Sequence, residues 1–179
     1  MLKNRSLIFK VILGGDGAVG KTTLLHRYME GIFLADTKMT IGVEFFQKEV
    51  FLSENIPCSL ILWDFGGQKQ FRRLIKSYVQ GAAGALILFD LTRMQSLTSI
   101  PEWVGTFRKE DPNLPILLVG TKVDLEESFI VQDHDAEKVK EEHNFIEYIK
   151  TSSKTGLNVE KAFLTIAREI IKSRNIGLD

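Results

Sequence analysis

Short runs of apolar, β-branched and aromatic residues alternate along the chain with segments whose apolar positions recur three or four residues apart. Near-continuous apolar runs suit strands buried on both faces, and the wider spacing suits amphipathic helices. The first run, Leu7 to Leu13, leads through a glycine-rich stretch into a helix from about Lys21 to Glu30. Val43 to Leu52 and Cys58 to Trp63 are separated by Ser53-Glu54-Asn55-Ile56-Pro57. That separator reads as a hairpin turn and makes the pair antiparallel. Ala83–Asp90, Ile116–Gly120 and Phe145–Lys150 complete six strands. Further helices are expected at about 72–80, 100–110, 133–142 and 159–174, the last with Val159, Ala162, Phe163, Ile166, Ala167, Ile170 and Ile171 on one stripe. Pro101 fits only a first helical turn, so its helix starts near Ser99 rather than Ser96. The alternation predicts an α/β three-layer sandwich: a six-stranded, mostly parallel sheet with one antiparallel edge strand, and five helices on its faces. No repeat, low-complexity tract or linker interrupts it, so 1–179 reads as one domain.

Composition narrows the classes. The 179 residues are 44% hydrophobic, enough for a sizeable core. Lys plus Arg equal Asp plus Glu at 23 each, so no whole-molecule field favours nucleic acid or an anionic membrane. The only cysteine, Cys58, lies in an expected core strand and agrees with a reducing cytosol. No run reaches the roughly 20 apolar residues needed to span a bilayer. Met1 is not followed by glycine, and RNIGLD contains no cysteine, so no lipid anchor or membrane association is visible in this sequence. A soluble, cytoplasmic monomer is the expectation, peripheral to membranes if the native chain carries a lipidated tail.

The candidate chemistry begins at GGDGAVGKTT, residues 14–23, which satisfies two patterns. Gly15-x-Gly17-x-x-Gly20 is the glycine fingerprint of a dinucleotide turn, and Gly15-x4-Gly20-Lys21-Thr22 is a phosphate-binding P-loop. Lys21 and Thr22 decide, because only a triphosphate site needs both. The amides of Gly15, Asp16, Gly17, Ala18, Val19 and Gly20 can wrap a β-phosphate at the helix N-terminus, where Thr23 also lies. Lys21 then meets the β and γ oxygens, and the Thr22 hydroxyl can ligate Mg²⁺. Glycines at 15, 17 and 20 suit unusual dihedrals or close approach to the ligand. A dinucleotide site would also want an acidic residue ending a second parallel strand, and Asp36 and Glu44 precede or enter an antiparallel one. Asp64-Phe65-Gly66 spells a protein-kinase triplet, but a chain this short without His-Arg-Asp has no room for two lobes.

Base choice is written in Thr121-Lys122-Val123-Asp124, at the end of a buried strand. Asp124 can accept from the N1–H and 2-amino group of guanine, which adenine lacks at that edge. The Lys122 stem can cover the ring, and Thr151-Ser152-Ser153-Lys154 brings a backbone N–H near O6.

In this order the chain resembles the Ras superfamily of small GTPases. Thr22, Thr40, Asp64-x-x-Gly67-Gln68, Thr121-Lys122-x-Asp124 and Ser152-Ser153-Lys154 occupy the family's five motif positions, and the likeness runs from about Leu7 to Arg174. Thr40-Ile41-Gly42-Val43-Glu44-Phe45, and Asp90-Leu91-Thr92 followed by Ser96 and Trp103, look Rab-like. Trp63-Asp64-Phe65-Gly66-Gly67-Gln68 is more similar to the Arf and Gα style. The resemblance implies a P-loop NTPase fold, bound GTP or GDP with Mg²⁺, and slow GTP hydrolysis in a switch plausibly serving membrane trafficking or signalling. It implies Thr22 and Thr40 as direct metal ligands and Asp64 as one through water. Thr40 and the Gly67 amide would touch the γ-phosphate, with Lys21 and Thr40 joining Gln68, which orients the attacking water, as the catalytic set. Residues about 31–42 and 65–78 would be the switches, Phe33 would stack on guanine, and Gly17 would leave space for Gln68 and an activator's arginine. Effector, GTPase-activating and exchange proteins would bind at switch I, the interswitch strands and switch II.

Departures from the family are specific. Thr121 replaces an Asn that ties the base loop to the P-loop, Ser153 replaces an alanine, and Thr37 stands where many relatives carry a tyrosine. No arginine finger is evident in cis. Phe45, Phe46 and Trp63 read either as an exposed effector patch or as partly core, and Phe33 either as a base contact or as plain hydrophobic packing. His26, His134 and His143 lack ligand spacing. The alternative to a hydrolysing switch is a pseudo-GTPase, a scaffold that holds nucleotide without turnover.

Overall fold

The computed structural model describes residues 7–35, 38, 40–52, 57–66 and 72–176. Six strands form one sheet: β1 (Leu7–Gly14), β2 (Val43–Phe51), β3 (Pro57–Phe65), β4 (Gly84–Asp90), β5 (Ile116–Thr121) and β6 (Tyr148–Lys150). Their order is β2-β3-β1-β4-β5-β6. Only β2 runs antiparallel, pairing Val43 with Phe65 through Phe51 with Pro57. A parallel β1–α–β2 unit is therefore absent, which removes the dinucleotide arrangement. The expected turn residues 53–56 lie outside the described residues.

Helices α1 (Lys21–Glu30), α2 (Arg72–Val79), α4 (Ile100–Arg108), α5 (Asp133–Glu142) and α6 (Val159–Ser173) are the five expected from periodicity. A five-residue helix, α3 (Met94–Thr98), precedes α4, and Ser99 separates the two with Pro101 in the first turn of α4. Its brevity explains why no apolar period announced it. The last strand is shorter than its apolar run. Ile146 already donates to the Ile116 carbonyl, but the ladder with β5 runs only from Leu118–Tyr148 to Gly120–Lys150.

Two cores fill the space on either side of the sheet. On one side, Phe9, Val11 and Leu13 meet Leu24 and Leu25 of α1 and the stripe of α6. All seven stripe residues of α6 are buried. Phe163 stacks on Tyr28 with ring centroids 3.9 Å apart, joining α6 to α1. On the other side, Ile12, Ala85 and Ile87 pack with Ile75, Trp103, Phe107 and Ala136 from α2, α4 and α5. Cys58 is buried in β3 as a free thiol, and burial pushes its pKa up to about 11.

The parallel strands β1, β3, β4, β5 and β6 all deliver their carboxyl ends to one edge of the sheet. The chain leaves β1 for β2 and β3 on one side and then crosses from β3 over β1 to β4 on the other, so the end of β1 is a switch point, the place where α/β sheets bind ligands. No described helix is long and apolar enough to cross a membrane.

The α1–α6 contact sets a stability prediction. Phe163→Ala should cost about 3–5 kcal/mol in urea unfolding, the range for deleting a fully buried phenyl ring. A loss under about 1 kcal/mol would mean that this junction is not tightly packed.

Candidate functional site

The loop after β1 opens the site. Gly15 has φ 132°, and a Cβ there would lie 2.3 Å from the Leu88 carbonyl of β4, so the close approach of loop to strand demands glycine. Gly20 also has positive φ, but the third such residue of the loop is Ala18, at 61°, rather than Gly17. A Cβ at Gly17 would meet nothing within 4 Å, as at Gly20, but only Gly20 adds a positive φ.

Donors from the neighbouring strand ends hold the loop. The Thr121 hydroxyl lies 2.7 Å from the Val19 carbonyl and 3.0 Å from that of Phe89. Thr121 therefore keeps the tie to the P-loop that the family makes with Asn. Lys122, itself at φ 64°, reaches the Ala18 carbonyl at 3.4 Å and forms a 2.7 Å ion pair with Asp90. Asp90 is 1% exposed. Burial acts to raise its pKa, but hydrogen bonds from Lys122 and Thr92 and the Lys122 charge outweigh burial and hold the carboxyl below its ordinary value. On the outer side, Trp103 of α4 donates to Asp16 Oδ1 at 3.0 Å.

At the phosphate end, Lys21 is 6% exposed, and its ammonium donates to the carbonyls of Gly15 and Asp16 at 2.8 and 3.0 Å. Burial pulls its pKa down to about 8, against the attraction of Asp64 and Asp16. The Thr22 and Thr40 hydroxyls are 2.7 Å apart, and the Thr22 hydroxyl also donates to Asp64 Oδ2. Asp64 is fully buried, and its other oxygen, Oδ1, has no hydrogen-bond partner among the described residues. Such an orphaned buried acceptor beside two hydroxyls is the donor set a hard cation takes. Burial pushes the Asp64 carboxyl up, opposed by the charge of Lys21. Gly66 closes this corner. Its amide donates to Gly42, and a Cβ on it would lie 2.4 Å from the Thr40 carbonyl, so glycine in place of alanine lets the Thr40 segment approach.

At the base end, the Ser152 hydroxyl donates to Asp124 Oδ1 at 2.6 Å and accepts from the Thr155 amide at 3.1 Å, fixing the carboxylate's direction. Backbone bonds from Val123 to Thr151 and from Thr151 to Gly120 zip the two loops together. Outside them, Arg27 of α1 donates to the Thr155 carbonyl.

One cavity of about 580 Å³ joins the two ends, a size typical of small-molecule sites. Gly17, Ala18, Val19, Gly20, Lys21, Thr22, Thr23, Phe33, Thr40, Thr121, Lys122, Asp124, Ser153 and Lys154 line it. Of the other expected residues, Gly15 and Asp16 support the loop from behind, Ser152 stands behind Asp124, and Asp64 lies beneath Thr22 and Thr40. Gly67 and Gln68, like Asp36 and Thr37, lie outside the described residues. Sequence reasoning missed Ala35, Lys38, Phe65 and Leu125 in the wall. A segment that places both Phe33 and Thr40 at the cavity must run along it, which was a usable signal for Ala35 and Lys38. It also missed Arg93, which donates to the Gly17 carbonyl at 3.0 Å.

The aromatic residues of β2 divide by strand alternation. Phe45 packs edge-on against Trp63 at 4.5 Å and is 57% exposed, with Tyr78 of α2 beyond Trp63 at 5.6 Å. Phe46 points to the opposite face against His26, so it belongs to the α1 side and not to an exposed patch with Phe45. Among the described residues no three His, Cys, Asp or Glu side chains form a metal cluster.

A glycine-rich loop at a switch point, a buried lysine, hydroxyls around a buried carboxylate and a held base-side carboxylate define the class as a P-loop nucleotide-binding α/β protein. Residues 10–172 match the model of the Ras family. The chain is 36% identical over 176 residues to the Ras-related protein Rab11D of Nicotiana tabacum, covering 96% of this chain and 78% of that protein. It is 39% identical over 166 residues to RABA4d of Arabidopsis thaliana, covering 92% and 74%. It is 38% identical over 165 residues to Rab-19 of Xenopus laevis, covering 92% and 77%. The chain belongs to the Ras family and is a small GTPase of Rab type.

The loop geometry separates its glycines. Gly15→Ala should lower stability by at least about 2 kcal/mol, combining a positive-φ position with a backbone clash. Gly17→Ala should stay within about 0.5 kcal/mol. Paired thermal unfolding checks this, and equal losses would contradict the close approach at Gly15.

Proposed function

We propose that this chain works as a single G domain, a guanine-nucleotide switch that binds GTP or GDP with Mg²⁺ and hydrolyses GTP slowly. The observation that carries the reading is one cavity with Lys21, Thr22, Thr40 and Asp64 gathered at its phosphate end and a Ser152-held Asp124 at its base end. Family membership supports the same conclusion.

The Thr22 and Thr40 hydroxyls and the unpartnered oxygen of Asp64 fit Mg²⁺, the threonines as direct ligands and Asp64 through water. Bound Mg²⁺ would neutralise charge on the phosphate oxygens. Lys21 would meet the β and γ oxygens, exchanging its carbonyl partners for stronger anionic ones. The amides of Ala18, Val19 and Gly20 donate to no group among the described residues and would bind phosphate oxygens. Asp124 would accept from guanine, Lys122 and Phe33 would cover its faces, and residues 152–154 would meet its O6.

Gln68 would orient the attacking water, and Thr40 and the Gly67 amide would sense the γ-phosphate. Losing that phosphate removes both contacts, so residues about 31–42 and 65–78 would relax. An activating protein's arginine would enter past Gly17, worth roughly 10³ to 10⁵-fold in this class. Effectors and exchange proteins would read the switches and the surface where exposed Phe45 packs on half-buried Trp63 and Tyr78, with membrane trafficking or signalling as the process served.

Loading with GTP and Mg²⁺ and following phosphate release tests the reading. Wild type should turn over far below about 1 s⁻¹, and Gln68→Leu should be at least about tenfold slower. Equal rates would remove Gln68 from the mechanism, and no release from wild type would favour the non-hydrolysing scaffold.

A further inference from the structure

Arg93 is a cation beside the phosphate loop that the proposed mechanism does not use. Its Nε lies 3.2 Å from Asp90 Oδ2, and its Nη2 donates to the Gly17 carbonyl at 3.0 Å. It is absent from the described wall of the cavity, so it grips the loop from outside. The grip is itself held at both ends. The Arg93 amide donates to the Asp90 carbonyl, and Ser96 Oγ accepts from the Asp90 amide at 2.9 Å and donates to the Arg93 carbonyl at 2.7 Å. Asp90, buried at the end of β4, thus anchors two cations, Lys122 and Arg93, which reach consecutive loop carbonyls.

We infer that Arg93 is a positioning residue for the phosphate loop, aiming the Ala18 amide at a bound phosphate by holding the Gly17 carbonyl on the outer side. The inference rests on the nucleotide reading above. Its warrant is the planar trans peptide, in which the carbonyl of Gly17 and the N–H of Ala18 point in opposite directions. Ala18 sits at φ 61°, a costly conformation for a residue with a side chain, and its amide donates to no described group. A peptide left in that state without an anchor can rotate away. The planar guanidinium sets its Nε on Asp90 and its Nη2 on the Gly17 carbonyl at a fixed spacing from position 93, a two-nitrogen geometry that a lysine at this position lacks.

The test uses the full chain loaded with GDP and Mg²⁺. Arg93→Ala should release a fluorescent GDP about tenfold faster than wild type, the scale of a lost charge-assisted hydrogen bond. The side chain is 44% exposed, so the melting temperature of the variant should stay close to wild type. In ¹H–¹⁵N spectra the Ala18 amide should lie downfield in wild type and move upfield in Arg93→Ala, while the Gly20 amide, aimed by Thr121, stays in place. Arg93→Lys should restore the charge but neither the release rate nor the Ala18 resonance. Full rescue by lysine would make the effect simple electrostatics and overturn the positioning role. Unchanged release and an unchanged Ala18 resonance in Arg93→Ala would overturn it too, leaving the nucleotide reading intact. Wild-type protein that retains no GDP would overturn both.

Discussion

A peptide group cannot turn its carbonyl and its amide to the same side, so a loop that offers amides to an anion must have its carbonyls held elsewhere. In this chain the carbonyls of Gly17, Ala18 and Val19 lie against Arg93, Lys122 and Thr121. These three residues stand at the ends of β4 and β5, where Asp90 and Thr121 are register partners. One strand pairing therefore delivers the whole set of grips to the loop. A slip of one residue between β4 and β5 would turn those side chains to the wrong faces and leave the loop unsupported. The apolar runs that fix this register, ALIL against ILLV, are the part of the core on which the site depends.

The same arrangement concentrates charge that the neutral composition conceals. Lys21 is buried against backbone carbonyls, with its pKa drawn down to about 8, and Asp64 is buried with one oxygen that has no partner among the described residues. Both groups are paired incompletely by protein alone, which is the condition a polyphosphate with its cation would relieve. Asp90, by contrast, is bonded by Lys122, Thr92 and Arg93, and Lys122 and Thr92 hold its carboxyl below the ordinary value.

Much of this was legible in the amino-acid order. The antiparallel edge follows from two apolar runs joined by a short polar turn, and the α6 stripe of Val159 to Ile171 is buried residue for residue. Lys21, Thr22, Thr40 and Asp124 could be named because each stands at a fixed place in a local motif. Arg93 could not, because its partner Gly17 is 76 residues away and nothing local marks a surface arginine as a grip. Yet the Rab-like pattern of Asp90, Thr92, Ser96 and Trp103 contained the answer in disguise. Those residues build the outer wall of the phosphate loop, through the Ser96-closed turn and the Trp103–Asp16 bond. Helix α3 was illegible because five residues carry too little periodicity. The side taken by Phe46 depended on the exact register with β3, since alternation alone says only that Phe45 and Phe46 differ.

A single cavity that takes guanine at one end and phosphates at the other has to discriminate between nucleotide bases. Calorimetric titration of nucleotide-free protein with GDP and with ADP, both with Mg²⁺, tests it most directly. On the proposed reading Asp124 would offer an acceptor that guanine satisfies and adenine leaves unpaired, so GDP should bind at least about 10³-fold more tightly than ADP. Equal affinity for the two would contradict the account.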